Sequence, residues 1–212
     1  MQRLSALTHV DEMLTILFDL DCLILGRAAA GLHELVGIGG RTQLIVPVNF
    51  NSLNTRTQRG RYLKLCEDIP PAYRRFLLFE ICNIPPGTPG ARILDLIMPL
   101  NAHAHGTFIE ASLNSVAGLT DCAGSAIMGV VTRADQFVDP AAEASVRLNQ
   151  FVTRVRAKNL RVFLNGVNSA ELLRSAIAAG VDCVGGLSVA ETTRELKTVY
   201  PWDITPPQPV RS

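Results

Sequence analysis

Lysine is scarce in this chain of 212 residues: Lys64, Lys158 and Lys197 are all there is, beside one tryptophan and three tyrosines. Charge of one sign is lacking too. Twenty basic and 19 acidic residues leave a net charge of +1, so no long-range field draws the chain to nucleic acid or to an anionic membrane surface. There is no C-x-x-C pair, and the five cysteines (Cys22, Cys66, Cys82, Cys122, Cys183) are odd in number and widely spaced. That pattern excludes a disulfide framework and a zinc knuckle, and it makes a reducing cytoplasm the expected location. No apolar run is long enough to span a bilayer. The most apolar early stretch, Leu14 to Leu25, is interrupted by Asp19 and Asp21 and falls short of the roughly 20 residues a spanning helix needs. The first residues have no basic cluster leading into an apolar region and a cleavage site, so neither export nor membrane insertion is expected. Disorder is excluded by an apolar content of 48% against 18% charged residues.

What is present is an alternation of strand-like and helix-like segments. Residues 5–36 carry Leu14, Leu17, Phe18, Cys22, Leu25 and Ala29 at helical spacing, without proline, and end at Gly37, Gly39 and Gly40. Strands are predicted at 43–50, 75–82, 106–112, 126–132, 160–164 and 181–189, each short and rich in β-branched or aromatic residues. The near-continuous apolar run at 75–82 suits a strand covered on both faces. Helices are predicted between them at 56–68, stopped by Pro70-Pro71, and at 91–101, 140–158 and 169–179. Asn168 or Ser169 caps the last of these, and Gly180 ends it. A partly helical link is expected at 115–122 and a final helix at 191–199. Residues 201–212 hold a proline-rich, irregular tail.

Six strands alternating with helices call for a parallel sheet with helices outside it. Two architectures compete, the doubly wound open sheet and the TIM-type (β/α) barrel. No G-x-G-x-x-G follows the first strand and no G-x-x-x-x-G-K-[ST] occurs anywhere, so the nucleotide-binding doubly wound folds lack their phosphate loop. The barrel is the expected fold, as a single domain over 1–200, but six strands do not close one of eight. The segments at 43–50 and 181–189 would then present free edges, which invite pairing with another chain. The gap is filled by upstream strands, by self-association, or by the helix at 5–36.

The ordered strand ends carry a family resemblance. Val48-Asn49-Phe50, Leu78-Phe79-Glu80-Ile81, Asn165-Gly166-Val167-Asn168 and Gly180-Val-Asp-Cys-Val-Gly185-Gly186 resemble, in this order and spacing, the V-N-L-S, F-E-I-T-E, E-G-V-E and G-x-D-Y-x-Q-G segments of EAL domains, the bacterial cyclic-di-GMP phosphodiesterases. The resemblance runs from about residue 10 to about 190 and corresponds to barrel strands three to eight. The E-A-L segment itself would lie before residue 1. The resemblance implies a pocket of two divalent metals held by strand-end carboxylates, whose activated water attacks a phosphodiester bond. It places Asn49 and Glu80 at ligand positions and Glu110 where an aspartate pair belongs. The lysine of K-I-D falls at Thr132 and its aspartate at Ala134. Asn165 and Asn168 replace the two glutamates of E-G-V-E. Two metals bring four positive charges against one carboxylate, Glu80, and a second at Glu110, and hard cations need charged oxygen ligands. The expectation is therefore a degenerate EAL-like module with a vestigial pocket of Asn49, Glu80, Glu110, Thr132, Asn165 and Asn168, no catalytic residue, no metal and no cofactor. It would act in bacterial signalling through a protein partner or self-association, or through weak binding of cyclic-di-GMP.

The alternatives are a phosphodiesterase completed by upstream residues, using Mg or Mn with Glu80 and Glu110, or an unrelated barrel lyase. The lyase needs a strand-end lysine for a Schiff base, and all three lysines fall on predicted helices. His103-Ala-His105 has a metal-binding spacing but precedes a strand, which places it at the face opposite barrel catalysis. Ser52 and Ser112 have no histidine partner in the sequence. A buried Glu80 needs a partner, for which Arg75 and Arg133 are the candidates. Arg56, Arg59, Arg61 and Lys64 make a solvated basic face, and Cys82 and Cys183 are expected as buried, inert thiols.

Overall fold

The computed structural model describes residues 2–40, 42–113, 126–136 and 141–192. The chain opens with a 36-residue helix, α1 (Gln2–Gly37). Phe18, Asp21, Leu25, Ala28, Leu32 and Leu35 recur on it at steps of three and four and are all buried. That stripe is what docks α1: each large apolar side chain taken fully out of water contributes about 1.5–3 kcal/mol. Gly39, at φ 77°, turns the chain out of the helix.

Six strands follow: β1 (Leu44–Asn49), β2 (Leu77–Cys82), β3 (Gly106–Glu110), β4 (Gly129–Arg133), β5 (Arg161–Asn165) and β6 (Cys183–Val184). They form one sheet in the order β1-β2-β3-β4-β5-β6, every neighbouring pair parallel. The order never reverses, so the sheet has none of the switch points that define the doubly wound folds. It curls into a half-barrel, an incomplete TIM-type barrel, with helices on its outside.

The helices after β1 are α2 (Phe50–Asn54), α3 (Arg56–Glu67), α4 (Pro71–Arg74), α5 (Gly90–Asn101), α6 (Ala141–Arg156) and α7 (Ala170–Ala179). Ser169 caps α7, its hydroxyl accepting from the Leu172 N–H, and Gly180 ends it in the left-handed conformation, as the sequence predicts. Two short helices were not expected. Asn49 caps α2 with its side-chain oxygen on the Asn51 N–H, so the chain turns helical directly off β1. Pro71 starts α4 rather than merely ending α3, since a proline is well tolerated where a helix N–H has no partner.

The main core lies between the sheet and its helices and takes Val46, Val48, Leu77, Phe79, Ile81, Ile109, Val130, Val162 and Leu164 from the strands. The alternate side chains face the inside of the half-barrel, where Leu78, Phe108 and Val131 pack with Ile45, Met128 and Phe163. Period-two alternation thus splits every strand between a helix-facing set and a lumen-facing set. All of β2 but its last residue is buried, which is why its sequence reads as continuously apolar.

The last strand is shorter than predicted. Pairing stops at Val184, because Gly186 at φ 143° turns the backbone against Val167. Residues 191–192 are irregular rather than helical. The remainder of the helix predicted over 191–199, the link at 115–122 and the tail at 201–212 lie outside the described residues. No helix among the described residues is long and apolar enough to cross a membrane.

At Gly129 the sheet demands a glycine. A Cβ there would collide with the Arg161 carbonyl oxygen and sit 2.7 Å from Phe108 Cε1. Gly129→Ala is expected to cost about 1–3 kcal/mol, the usual penalty of overpacking, measured as a lowered urea midpoint.

Candidate functional site

Because all strands run the same way, their carboxyl ends share one rim. The last residues of β1 to β5 are Asn49, Cys82, Glu110, Arg133 and Asn165. Together with Glu80, one step further inside, they line two adjoining depressions of about 410 and 490 Å³, which share Pro47, Glu80, Cys82 and Arg133. Of the six residues that the sequence placed in a pocket, Asn49, Glu80, Glu110 and Asn165 are there.

Thr132 and Asn168 are not. Thr132 is wholly buried and pairs in register with Leu164, a residue of the helix-facing core. Its neighbour Arg133 takes the lumen-facing place. A slip of one residue along a strand moves a side chain to the other face of the sheet. Thr132, where the resemblance put the lysine position, therefore lies under a helix, and the rim side chain of β4 is Arg133. Asn168 lies in the loop after β5, where its side-chain oxygen accepts from the Leu187 N–H at 3.2 Å and holds the loop beyond β6.

The rim is electrostatically crowded. Burial pushes the Glu80 carboxyl above the ordinary carboxylate value. Glu110 pushes the same way, while a hydrogen bond with Cys82 and the Arg133 charge oppose it. Arg133 donates from Nε to Asp135 Oδ2 at 3.2 Å and lines the same depression as Glu80 and Glu110. Glu110 Oε2 accepts from the Asn83 N–H at 2.8 Å, and Asn83 itself is left-handed at φ 56°, a conformation that asparagine tolerates better than most residues. Arg75, the other candidate partner of Glu80, stands before β2 with its guanidinium 4.7 Å from the Phe76 ring, at the opposite end of the strand.

One carboxylate at the rim was missed. Asp21 of α1 is buried, and its Oδ2 accepts from the Asn49 N–H at 2.9 Å. Burial raises its pKa, against the lowering effect of the nearby Ser52 hydroxyl and of the hydrogen bond from the Asn49 backbone. The signal was present, since Asp21 occupies a position of the buried heptad-like stripe, where a carboxylate needs a partner.

Several rim oxygens accept backbone N–H groups: Asn49 Oδ1 from Asn51, Glu110 Oε2 from Asn83, Asn165 Oδ1 from Gly166 and Asp21 Oδ2 from Asn49. A guanidinium already supplies positive charge among them. Among the described residues no group of three or more His, Cys, Asp or Glu side chains is placed to hold a metal ion. The described lysines, Lys64 on α3 and Lys158 after α6, lie away from the rim. His105 donates its backbone N–H to the Leu77 carbonyl at 2.8 Å, which puts the His103-Ala-His105 pair at the amino ends of the strands. Cys183 is exposed rather than buried, because the sheet ends at β6. Cys82 is half-buried, and burial pushes its thiol well up, away from reactivity. The basic face of α3 is partly engaged too: the Arg61 guanidinium lies 4.9 Å over the Phe18 ring.

No family model matches the chain, and no curated protein matches it in sequence. Solved structures do match. The EAL domain of FimX from Xanthomonas citri, in complex with c-diGMP, is 17% identical with a TM-score of 0.68, over 95% of this chain and 78% of that one. The PaMucR phosphodiesterase in its c-di-GMP complex is 14% identical with a TM-score of 0.62, over 90% and 76%. An EAL domain protein from Listeria monocytogenes EGD-e is 14% identical with a TM-score of 0.60, over 90% and 72%. The chain has an EAL-like fold.

The raised pKa of Glu80 fixes the sign of a pH effect. A carboxyl that binds its proton more tightly when folded favours folding at acid pH, and that gain is lost as pH rises through the folded value. Glu80→Gln is therefore expected to raise the melting temperature at pH 7. The gain should vanish below the ordinary glutamate value of 4.5, as a series of thermal melts across pH would record.

Proposed function

We propose that this chain is a cyclic-di-GMP signalling module of the EAL fold that does not hydrolyse the nucleotide. It works through contact with a protein partner and binds cyclic-di-GMP weakly at the open rim of the half-barrel. The observation that carries this reading is that Arg133 lines one depression with Glu80 and Glu110. A guanidinium held there offers a phosphate diester a fixed cation with planar donors. It does not generate a hydroxide from water, which is the work of the metals in the hydrolytic mechanism. The committed oxygens of Asn49, Glu110 and Asn165 support the same reading. The neighbours whose structures hold c-di-GMP lend it the ligand class.

Under this reading the rim residues have separate tasks. Arg133 supplies the positive charge for a phosphate. Asp135 fixes its orientation through the 3.2 Å contact. Glu80 keeps a carboxyl in the same depression, which limits the affinity for an incoming anion. Asn165 presents an amide at the same rim.

The deciding experiment is calorimetric titration with cyclic-di-GMP, with and without Mn²⁺, beside a chromatographic assay for the linear dinucleotide. Expected are no linear product and a binding isotherm that Mn²⁺ leaves unchanged. Arg133→Met should weaken that binding by about tenfold, the loss of one charge-assisted contact. Manganese-dependent formation of linear product that Glu80→Gln abolishes would establish the hydrolytic alternative instead.

A further inference from the structure

A third depression, of about 270 Å³, adjoins the rim at Glu110, which lines both it and the depression that holds Arg133. Its walls include Ile84, Pro86 and Thr88 from the loop after β2, Ile93 from α5, and Ile109 beside Glu110 on β3. Ile93 and Ile109 are buried members of the main core, and Ile84 packs against it, so these walls are held from behind.

The loop is shaped by its own sequence. Pro86 and Gly87, the latter at φ 79°, are the central residues of a turn closed by the Thr88 N–H donating to the Pro85 carbonyl at 3.2 Å. Proline followed by a residue of positive φ is what a type II turn needs. The Thr88 hydroxyl donates to the same carbonyl at 2.7 Å. With Pro85, Pro86 and Pro89 in one short loop, little freedom remains to be lost when a ligand enters.

Glu110 supplies the polar edge. Its Oε2 accepts from the Asn83 N–H at 2.8 Å, which fixes the carboxylate between the two depressions. An ionised carboxylate accepts and does not donate. Apolar walls with an acceptor at the edge suit a flat heteroaromatic ring with N–H donors on one side. Among the nucleobases that is guanine, whose N1–H and N2 amino group donate side by side. Adenine sets a bare N1 acceptor beside its amino group, which a carboxylate repels. Apolar contact with the ring and hydrogen bonds to its pairing edge are how proteins read an unstacked base. Spacing agrees. Glu110 pairs in register with Val131, and Arg133 lies two residues further on β4. At about 4.8 Å between strands and about 3.3 Å per residue, the two backbones are about 8 Å apart, within reach of one nucleotide from phosphate to base.

We propose that this depression is a guanine subsite. With a phosphate on Arg133, one base of the dinucleotide enters between the proline loop and Ile109 and sets its donor edge on Glu110. The inference rests on the reading of the rim as a cyclic-di-GMP site and adds to it the residue that selects the base.

Calorimetry on the whole chain with cyclic-di-GMP and cyclic-di-AMP reads that choice, because the two share phosphates and sugars. Cyclic-di-GMP should bind at least about tenfold more tightly, the value of one hydrogen bond to a charged acceptor. Glu110→Gln keeps an oxygen for the Asn83 N–H but sets an amide donor against the base. It should bring the ratio of the two affinities toward one, whatever the lost charge does to both. Isoleucine-methyl NMR on the unsubstituted chain reads the place. Ile84, Ile93 and Ile109 should shift with cyclic-di-GMP. Ile177 on α7, which lines none of the three depressions, should not. Heat from cyclic-di-GMP with the first three methyls unmoved overturns the subsite and leaves the rim reading standing. Equal affinity for the two dinucleotides does the same, as does a ratio that Glu110→Gln leaves unchanged. No heat from either dinucleotide overturns the rim reading and the subsite with it.

Discussion

The parallel run of the six strands is the constraint on which everything else rests. It sends every carboxyl end to one rim and every amino end to the other, so chemistry dispersed over more than a hundred residues of sequence meets in one depression. It also makes the side-chain alternation of each strand decisive. A residue at a strand end either faces the rim or is buried under a helix, and one step along the chain exchanges the two. Arg133 and Thr132 are such a pair, and the character of the site follows from which of them faces inward.

With Arg133 inward, the charge balance of the rim is settled within the protein. Glu80 and Glu110 share the depression with a resident cation, and one oxygen each of Glu110, Asn49, Asn165 and Asp21 accepts a backbone N–H. Carboxylates at a metal centre must be ionised and free to bind. Here burial raises the Glu80 pKa, and one oxygen of Glu110 accepts from the Asn83 N–H. In the proposed reading the same cation is what receives an anion, so the charge balance bears on both readings of the site at once.

Much of this was legible in the sequence. The six strands, the helices between them, the Ser169 cap and the Gly180 stop follow from patterning and end chemistry that act locally. The absent phosphate loop separated the barrel from the doubly wound sheet. What was not legible depended on register. The apolar residues Ala126 and Ile127 drew the predicted fourth strand early, to 126–132, whereas pairing to β3 begins at Gly129, and the rim assignment slipped with it. The last strand was overread for a related reason: Leu187 and Val189 are apolar enough for a strand, but Gly186 adopts a backbone that a strand does not. Cys183 was misjudged with it, since a thiol in a closing strand would be buried and a thiol at a sheet edge is not.

Asp21 links the site to the edge of the sheet. A carboxylate in the buried stripe of α1 carries a desolvation cost, and the Asn49 amide offsets part of it. That amide belongs to the outer edge of β1, so the bond that satisfies Asp21 also removes a donor that another strand would need. Pro47, two residues earlier, removes the next. The residue that brings α1 to the rim is thus one of two that remove donors from the outer edge of β1, and helix position, rim composition and edge chemistry are not independent features. A change at Asp21 would alter all three, whereas a change at Leu20, on the far side of the same helix, touches none of them.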